Sequence, residues 1–179
     1  MSETATIGGG CYWCLEAFYK EILGIESIVS GYSGGHLENP TTNQVYAGNT
    51  GHIEVVQLVF DPAIISYSEI LEIFFVMHDP TTLNRQGYDI GEWYGSVIFY
   101  HDEAQHSVAD EMIKNFAATK WDAPVVTRIE PFKKFWPADL SQQDYYENHP
   151  EAAYCQVIIS PKIIKLRKEF TNKLRASQP

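Results

Sequence analysis

Cysteine is scarce in this chain, with only three copies among 179 residues. An odd number of cysteines leaves at least one thiol unpaired, which argues against a scaffold held together by disulfides. The first residues do not form a basic segment followed by a long apolar run, the pattern that directs export. We therefore expect thiol chemistry in a reducing compartment, the cytoplasm.

Positive charge is also in short supply. Lys and Arg together number 13 against 23 Asp and Glu, which gives a net charge of −10. A chain this acidic is poorly suited to nonspecific binding of nucleic acid or anionic membranes. The longest apolar stretch, residues 70–77, is interrupted by Glu72 and is too short to span a bilayer. We expect neither a nucleic acid nor a membrane as a partner.

The most informative segment that is present is a run of three glycines followed by Cys11 and, three residues later, by Cys14. A β-prone run precedes the glycines and a helix-like run follows them. This order predicts Cys11 at the first turn of a helix, where free N–H groups and the helix dipole lower the pKa of a thiol. Tyr12 and Trp13, between the two cysteines, indicate either a hydrophobic cup for a substrate group or ordinary core packing.

The second informative residue is Glu54, within the predicted strand 51–60. Both faces of this strand are mainly apolar, so the strand should lie inside a sheet. Loss of hydration there raises the pKa of a carboxyl group towards or past neutrality, and a neutral carboxyl is a general acid. The alternative is that Glu54 lies at the strand end, where it reaches water or pairs with a buried base.

The order of predicted elements indicates a single α+β domain over residues 1–179, a sandwich in which helices cover one mixed β-sheet. The core extends over about 4–158, and the last clear strand is predicted at 125–129. A C-terminal helix is predicted over about 161–175, begun by the preceding serine and a first-turn proline. The polar segment 35–50 is predicted to be a long loop.

Several short motifs occur in the order and at the spacing of a known family. They begin at Gly10, Gly31, Asn39, Gly51, His78 and Arg85 and read GCYWCLE, GYSGG, NPT, GHIE, HDPT and RQGYDIG. Over about residues 7–155 the chain resembles the peptide-methionine (S)-S-oxide reductases, the A-type methionine sulfoxide reductases. The resemblance implies a two-layer α+β sandwich with a ferredoxin-like core. It also implies thiol-dependent reduction of the S epimer of methionine sulfoxide, free or within oxidised proteins.

The resemblance further implies roles for individual residues. Cys11 matches the family's nucleophile, Glu54 its acid, and Tyr94 the tyrosine that helps hold the sulfoxide oxygen. Attack by Cys11 would leave methionine and a sulfenic acid. Three further matches line the same site: Asp89 at a polar position, and Tyr12 and Trp13 around the substrate methyl group, with Tyr12 where Phe is usual.

Two residues of the expected site depart from the family's pattern. Thr42 stands where many members carry a second site tyrosine, and Gln142 where His is usual.

Cys155 lies in a segment that resembles the family's resolving-cysteine segment, while Cys14 could close a disulfide with Cys11 across a Cys-x-x-Cys spacing. We favour Cys155. The resemblance implies no cofactor, with thioredoxin as the external dithiol reductant, and we expect a monomer.

Two other functions stay open on the residues alone. A thioredoxin-like disulfide oxidoreductase would use Cys11 and Cys14 but would leave Glu54 without a use. A binding module with a structural zinc would use Cys11, Cys14, Cys155 and perhaps His149. The zinc hypothesis accounts for the three cysteines but not for the bulky aromatics between the first two.

Overall fold

The computed structural model describes residues 1–176, which form eight strands and seven α-helices. The strands are β1 (Glu3–Gly8), β2 (Ile25–Ser33), β3 (Ile53–Phe60), β4 (Arg85–Gln86), β5 (Asp89–Ile90), β6 (Val97–Tyr100), β7 (Arg128–Pro131) and β8 (Phe135–Pro137). The helices are α1 (Tyr12–Lys20), α2 (Thr42–Tyr46), α3 (Tyr67–Met77), α4 (Glu103–Met112), α5 (Ala118–Lys120), α6 (Tyr145–Asn148) and α7 (Ser160–Glu169). Two π-helical turns, Ile113–Ala117 and Cys155–Ile159, and three short 3₁₀ turns complete the described elements.

Six strands form one sheet in the order β7-β6-β1-β3-β2-β8. The neighbouring strands are antiparallel except for β6 and β7, which are parallel. The four inner strands, with α1 after β1 and α3 after β3, have the β-α-β-β-α-β order of a ferredoxin-like fold. The predicted α+β class, mixed sheet and ferredoxin-like core are therefore confirmed. Strands β4 and β5 form a separate hairpin.

Strand β3 lies between β1 and β2 and is buried on both faces. Val56, Leu58 and Phe60 belong to the main core. Ile53 and Val55, on the other face, belong to a smaller apolar cluster. A strand covered on both faces has a nearly continuous apolar sequence, as this one has.

Helices α1 and α3 are joined by a buried hydrogen bond in which the Tyr19 hydroxyl donates to the carbonyl of Ile70, at 2.8 Å. Helix α3 begins at a capping box: Ser66 Oγ accepts the N–H of Glu69, and the Glu69 carboxylate accepts the N–H of Ser66. These two bonds satisfy N–H groups that the helix itself leaves free. The spacing Ser66-x-x-Glu69 is the sequence signature of such a capping box.

Two local predictions are wrong. The segment 35–50 contains helix α2, which begins at a capping box formed by Thr41 and Gln44. The predicted strand 125–129 lies mostly outside the sheet, because the Val126 N–H donates to the carbonyl of Pro80 at 2.7 Å and ladder pairing with β6 begins only at β7.

The start of the C-terminal helix also differs from the prediction. Helix α7 continues directly from the π-helical turn Cys155–Ile159, so Ser160 does not cap a free helix end. The Ser160 hydroxyl instead donates to the carbonyl of Cys155 at 3.0 Å. Helix α7 ends at Glu169. The single domain over 1–179 stays a prediction, and its last three residues lie outside the described part of the chain.

No helix among residues 1–176 combines the length and the apolar character that crossing a bilayer requires.

The edge strand β8 lies close against β2 at Gly31. A Cβ atom added there would lie 2.3 Å from the carbonyl oxygen of Trp136 and 2.6 Å from the ring of Phe135. Because β8 would have to move, we expect Gly31→Ala to lower the free energy of unfolding by about 2 kcal/mol or more. Urea denaturation measures this change. Ser27→Ala, an exposed position on the same strand, is the control and should change stability by less than about 0.5 kcal/mol; similar effects of both variants would contradict the prediction.

Candidate active site

Cys11 lies at the end of the glycine loop and is the N-cap residue of α1. Its side chain is 6% exposed. Gly10 has a φ of 95°, a left-handed conformation that glycine adopts without strain, and a Cβ atom there would lie 2.6 Å from the side chain of Gln86. The predicted order of strand, glycine loop, cysteine and helix is confirmed.

The carboxyl group of Glu54 projects from β3 to the same end of α1 and has no exposed surface. Its Oε2 accepts the N–H of Tyr12 at 2.9 Å, and its Oε1 accepts the hydroxyl of Tyr46 at 2.6 Å. Burial raises the pKa of Glu54 to about 8, although both hydrogen bonds act to lower it. The carboxyl group is therefore mostly neutral at pH 7, as its place in a buried strand predicts.

The thiols of Cys11 and Cys14 shift each other's pKa. Burial raises the pKa of Cys11 well above the usual value, and the neighbouring Cys14 thiol raises it further. The same interaction lowers the pKa of Cys14 to about 7, against the effect of burial. The expected lowering at Cys11 is not found, because Glu54 takes the N–H of Tyr12 at the helix end and desolvation exceeds the effect of the remaining donor.

Asp89, on the β4–β5 hairpin, is connected to the thiols through Tyr154. The Tyr154 hydroxyl donates to Asp89 Oδ2 at 2.6 Å, and Cys14 Sγ lies 3.7 Å from the same hydroxyl. Tyr154 directly precedes Cys155, whose side chain has no exposed surface. Burial and the nearby Cys14 raise the pKa of Cys155.

The two aromatic residues between the first cysteines have different surroundings. Trp13 is half-buried; its ring stacks on Tyr145, with 3.6 Å between centroids, and meets Tyr154 edge-on at 5.7 Å. Tyr12 is fully buried, and its hydroxyl lies 3.0 Å from that of Tyr32. Of the two side chains, Trp13 is the one that reaches solvent.

The two departures from the family pattern lie on one chain of hydrogen bonds. Thr42 Oγ1 is 2.7 Å from the hydroxyl of Tyr32, which is 3.0 Å from that of Tyr12. The Tyr12 hydroxyl donates to Gln142 Oε1 at 3.4 Å. Thr42 therefore supports the buried side of α1, and the hydroxyl that reaches Glu54 comes from Tyr46.

Tyr46 is not among the site residues that the sequence predicts, because its segment is predicted to be a loop. The pattern Thr41-x-x-Gln44, a capping box, could have revealed the short helix that carries it. The Tyr46 ring stacks on Trp93, with 5.1 Å between centroids, and lies 6.3 Å from the ring of Tyr94. Burial raises the pKa of Tyr94 to about 12, so its hydroxyl stays protonated and can donate a hydrogen bond.

The residues of the zinc hypothesis do not form a metal site. Within the described chain, no group of three or more His, Cys, Asp and Glu side chains is arranged to hold a metal ion. The ring of His149 lies instead 3.8 Å from the carboxylate of Glu151. The zinc-stabilised module is therefore contradicted by the geometry.

Sequence comparison connects this geometry to known proteins. The model of a family described as peptide methionine sulfoxide reductase matches residues 3–174. The chain is 51% identical over 173 residues to a protein of Saccharolobus solfataricus named Peptide methionine sulfoxide reductase MsrA, and the alignment covers 97% of each chain.

Solved structures give the same result. The structure of Mxr1 from Saccharomyces cerevisiae in reduced form matches with a TM-score of 0.77 and 31% identity, over 86% of this chain and 89% of that one. Mxr1 in complex with Trx2 matches with a TM-score of 0.53 and 26% identity, over 80% and 84% of the two chains. Because the family model and the relatives match nearly the whole length, this chain belongs to the peptide methionine sulfoxide reductase family.

Proposed function

We propose that this enzyme reduces the S epimer of methionine sulfoxide, free or within proteins, with Cys11 as nucleophile and Glu54 as general acid. The observation that carries the proposal is a carboxyl group that is neutral at pH 7 and bound to the helix end where Cys11 lies. A thioredoxin-like disulfide oxidoreductase using Cys11 and Cys14 would give this carboxyl group no use. A sulfoxide oxygen, in contrast, needs a proton when its bond to sulfur breaks.

The first half-reaction oxidises Cys11 and reduces the substrate by two electrons. The Cys11 sulfur attacks the sulfoxide sulfur and forms a sulfur–sulfur bond, while its own proton passes to the adjacent Cys14 thiolate. Glu54 protonates the sulfoxide oxygen as the carboxyl group becomes a carboxylate. The oxygen is then transferred from the substrate sulfur to the Cys11 sulfur and the sulfur–sulfur bond breaks, so methionine leaves and Cys11 becomes a sulfenic acid.

The neighbouring residues bind the substrate and hold these groups in place. The partly exposed ring of Trp13 provides an apolar wall for the substrate methyl group, and Tyr12 packs behind it. The protonated hydroxyl of Tyr94 donates to the sulfoxide oxygen. Asp89 holds the hydroxyl of Tyr154, which in turn lies against Cys14.

We infer that the second half-reaction is a thiol relay. Cys14, whose pKa is lowered to about 7, gives the proton it received to the sulfenic acid oxygen and attacks the Cys11 sulfur, so that the sulfur–oxygen bond breaks, water leaves and a Cys11–Cys14 disulfide forms. Cys155 then exchanges into the Cys11–Cys14 disulfide, joining Cys14 and freeing Cys11. This order differs from the preference for Cys155 as the first resolving thiol, and the lowered pKa of Cys14 beside Cys11 supports it.

We further propose that thioredoxin reduces the final disulfide. The complex of Mxr1 with Trx2 supports this partner. A dithiol supplies both electrons, so the enzyme needs no bound cofactor. Three thiols that remain free are suited to a reducing compartment, and we propose that the enzyme acts as a monomer in the cytoplasm.

The proposed activity is tested with a methionine sulfoxide peptide resolved into its two epimers, with dithiothreitol as reductant. Wild type should consume the S epimer and spare the R epimer. Cys11→Ser should abolish turnover, because a hydroxyl cannot replace the thiolate in attack on sulfur. Cys155→Ser, as the matched control, should still release about one methionine per enzyme without reductant. Sustained turnover by Cys11→Ser would remove Cys11 from its assigned role.

The pH dependence tests the assignment of Glu54. Because its pKa is raised to about 8 and the protonated form is the acid, the single-turnover rate should decline as the pH rises through about 8. Glu54→Gln should slow the reaction at neutral pH by roughly 10²–10⁴ and should lose this decline. Glu26→Gln, at an exposed position on β2, is the matched control. A wild-type rate in Glu54→Gln would show that the carboxyl group is structural.

Disulfide mapping by mass spectrometry tests the relay. After one turnover without reductant, wild type should contain a Cys14–Cys155 bond, and Cys155→Ser should contain a Cys11–Cys14 bond. Cys155→Ser should lose turnover with thioredoxin but keep part of it with small thiols, which reach the first disulfide directly. A Cys11–Cys155 bond in wild type, together with full thioredoxin-driven turnover in Cys14→Ser, would instead establish Cys155 as the direct resolving thiol.

A further inference from the structure

The two oxygens of the Glu54 carboxyl group have partners of different kinds. The backbone N–H of Tyr12 can only donate, so Oε2 acts as an acceptor whether or not Glu54 is ionised. The Tyr46 hydroxyl, 2.6 Å from Oε1, can either donate or accept. In the neutral acid, the proton is therefore favoured on Oε1, and once that proton has left, the Tyr46 hydroxyl donates to Oε1 and stabilises the carboxylate.

Tyr46 lies between this buried carboxyl group and the surface. The carboxyl group of Glu54 has no exposed surface, whereas Tyr46 is 39% exposed. The ring of Tyr94 lies 6.3 Å from that of Tyr46, and the pKa of the Tyr94 hydroxyl responds to both Tyr46 and Glu54. Oε1, the Tyr46 hydroxyl and the Tyr94 hydroxyl thus form one polar cluster, the acid cluster, in which Tyr46 directly contacts the buried acid.

The ring of Tyr46 is held in place by contacts outside the acid cluster. Helix α2 is fixed at its start by the capping box and is only one turn long, so the position of Tyr46 depends on side-chain packing. Trp93 stacks on the ring at 5.1 Å with 26° between planes. A Cβ atom at Gly91 would lie 2.5 Å from the Trp93 ring, so the close approach of Trp93 requires a glycine there.

We propose that Tyr46, supported by Trp93, is a positioning residue for the reaction: it holds the acid proton of Glu54 on Oε1, facing the Tyr94 hydroxyl. The acid proton and the Tyr94 donor then converge on one substrate oxygen. Tyr46 would thus supply the tyrosine hydroxyl that many family members carry at the position of Thr42, one helical turn earlier. The inference rests on the proposed role of Glu54 as the acid.

Tyr46→Phe is the direct test, since it removes one oxygen atom from a partly exposed side chain. Loss of a hydrogen bond to an ionisable partner should lower the single-turnover rate at neutral pH by about 10- to 100-fold, with little change in KM. That bond lowers the pKa of Glu54, so its loss should move the alkaline decline of the rate to higher pH. A slower reaction with a wider alkaline range is the signature of positioning, which a general loss of structure would not give.

Matched variants make the test specific. Tyr88→Phe, on an 89% exposed side chain of the β4–β5 hairpin, should leave the rate and the pH profile unchanged. Trp93→Leu removes the stacking partner of Tyr46. It should lower the single-turnover rate and move the alkaline decline to higher pH, as Tyr46→Phe does, but by smaller amounts. Thermal unfolding of each variant should show that the fold is retained.

The outcomes separate this inference from the proposed function. Loss of rate in Glu54→Gln, together with a Tyr46→Phe rate within about twofold of wild type, would overturn the role of Tyr46 alone. A slower Tyr46→Phe with an unshifted alkaline decline would also overturn it, since the effect would then be structural. A wild-type rate in Glu54→Gln would overturn both.

Discussion

The hydrogen bond from the Tyr12 N–H to Glu54 Oε2 joins the first turn of α1 to the centre of the sheet, and the state of both reactive groups depends on it. It gives the buried carboxyl group a fixed partner and takes from Cys11 a donor that would otherwise stabilise a thiolate. Burial still exceeds the effect of the donors, so Glu54 stays neutral at pH 7 and Cys11 keeps its proton. Cys14 is the neighbour able to take that proton.

The parts of this site that the sequence predicts are those set by local rules. Apolar residues on both faces of β3 can be buried only inside a sheet, so the burial of Glu54 follows from alternation alone. The glycine run predicts the turn that delivers Cys11 to α1. Ser66 and Glu69 identify the start of α3 because a capping box needs only residues three apart.

The other features of the site depend on contacts between segments that are far apart in the sequence, and hydrophobic periodicity does not predict such contacts. Asp89 and Tyr154 are 65 positions apart, and nothing local indicates that the hairpin meets the segment before Cys155. The polar composition around Tyr46 is typical of a loop and does not indicate helix α2, which is only one turn long. The sequence predicts a lowered pKa for Cys11 because free N–H groups at a helix start favour a thiolate. This prediction is wrong, since one of those N–H groups is bound by Glu54 and burial raises the pKa.

The burial of the thiols has a consequence for the order of events in the catalytic cycle. Cys11, Cys14 and Cys155 are 6%, 4% and 0% exposed, so a protein reductant cannot contact their sulfur atoms in this conformation. Reduction then requires local opening, and the π-helical turn that carries Cys155 is an element of low intrinsic stability where opening can begin.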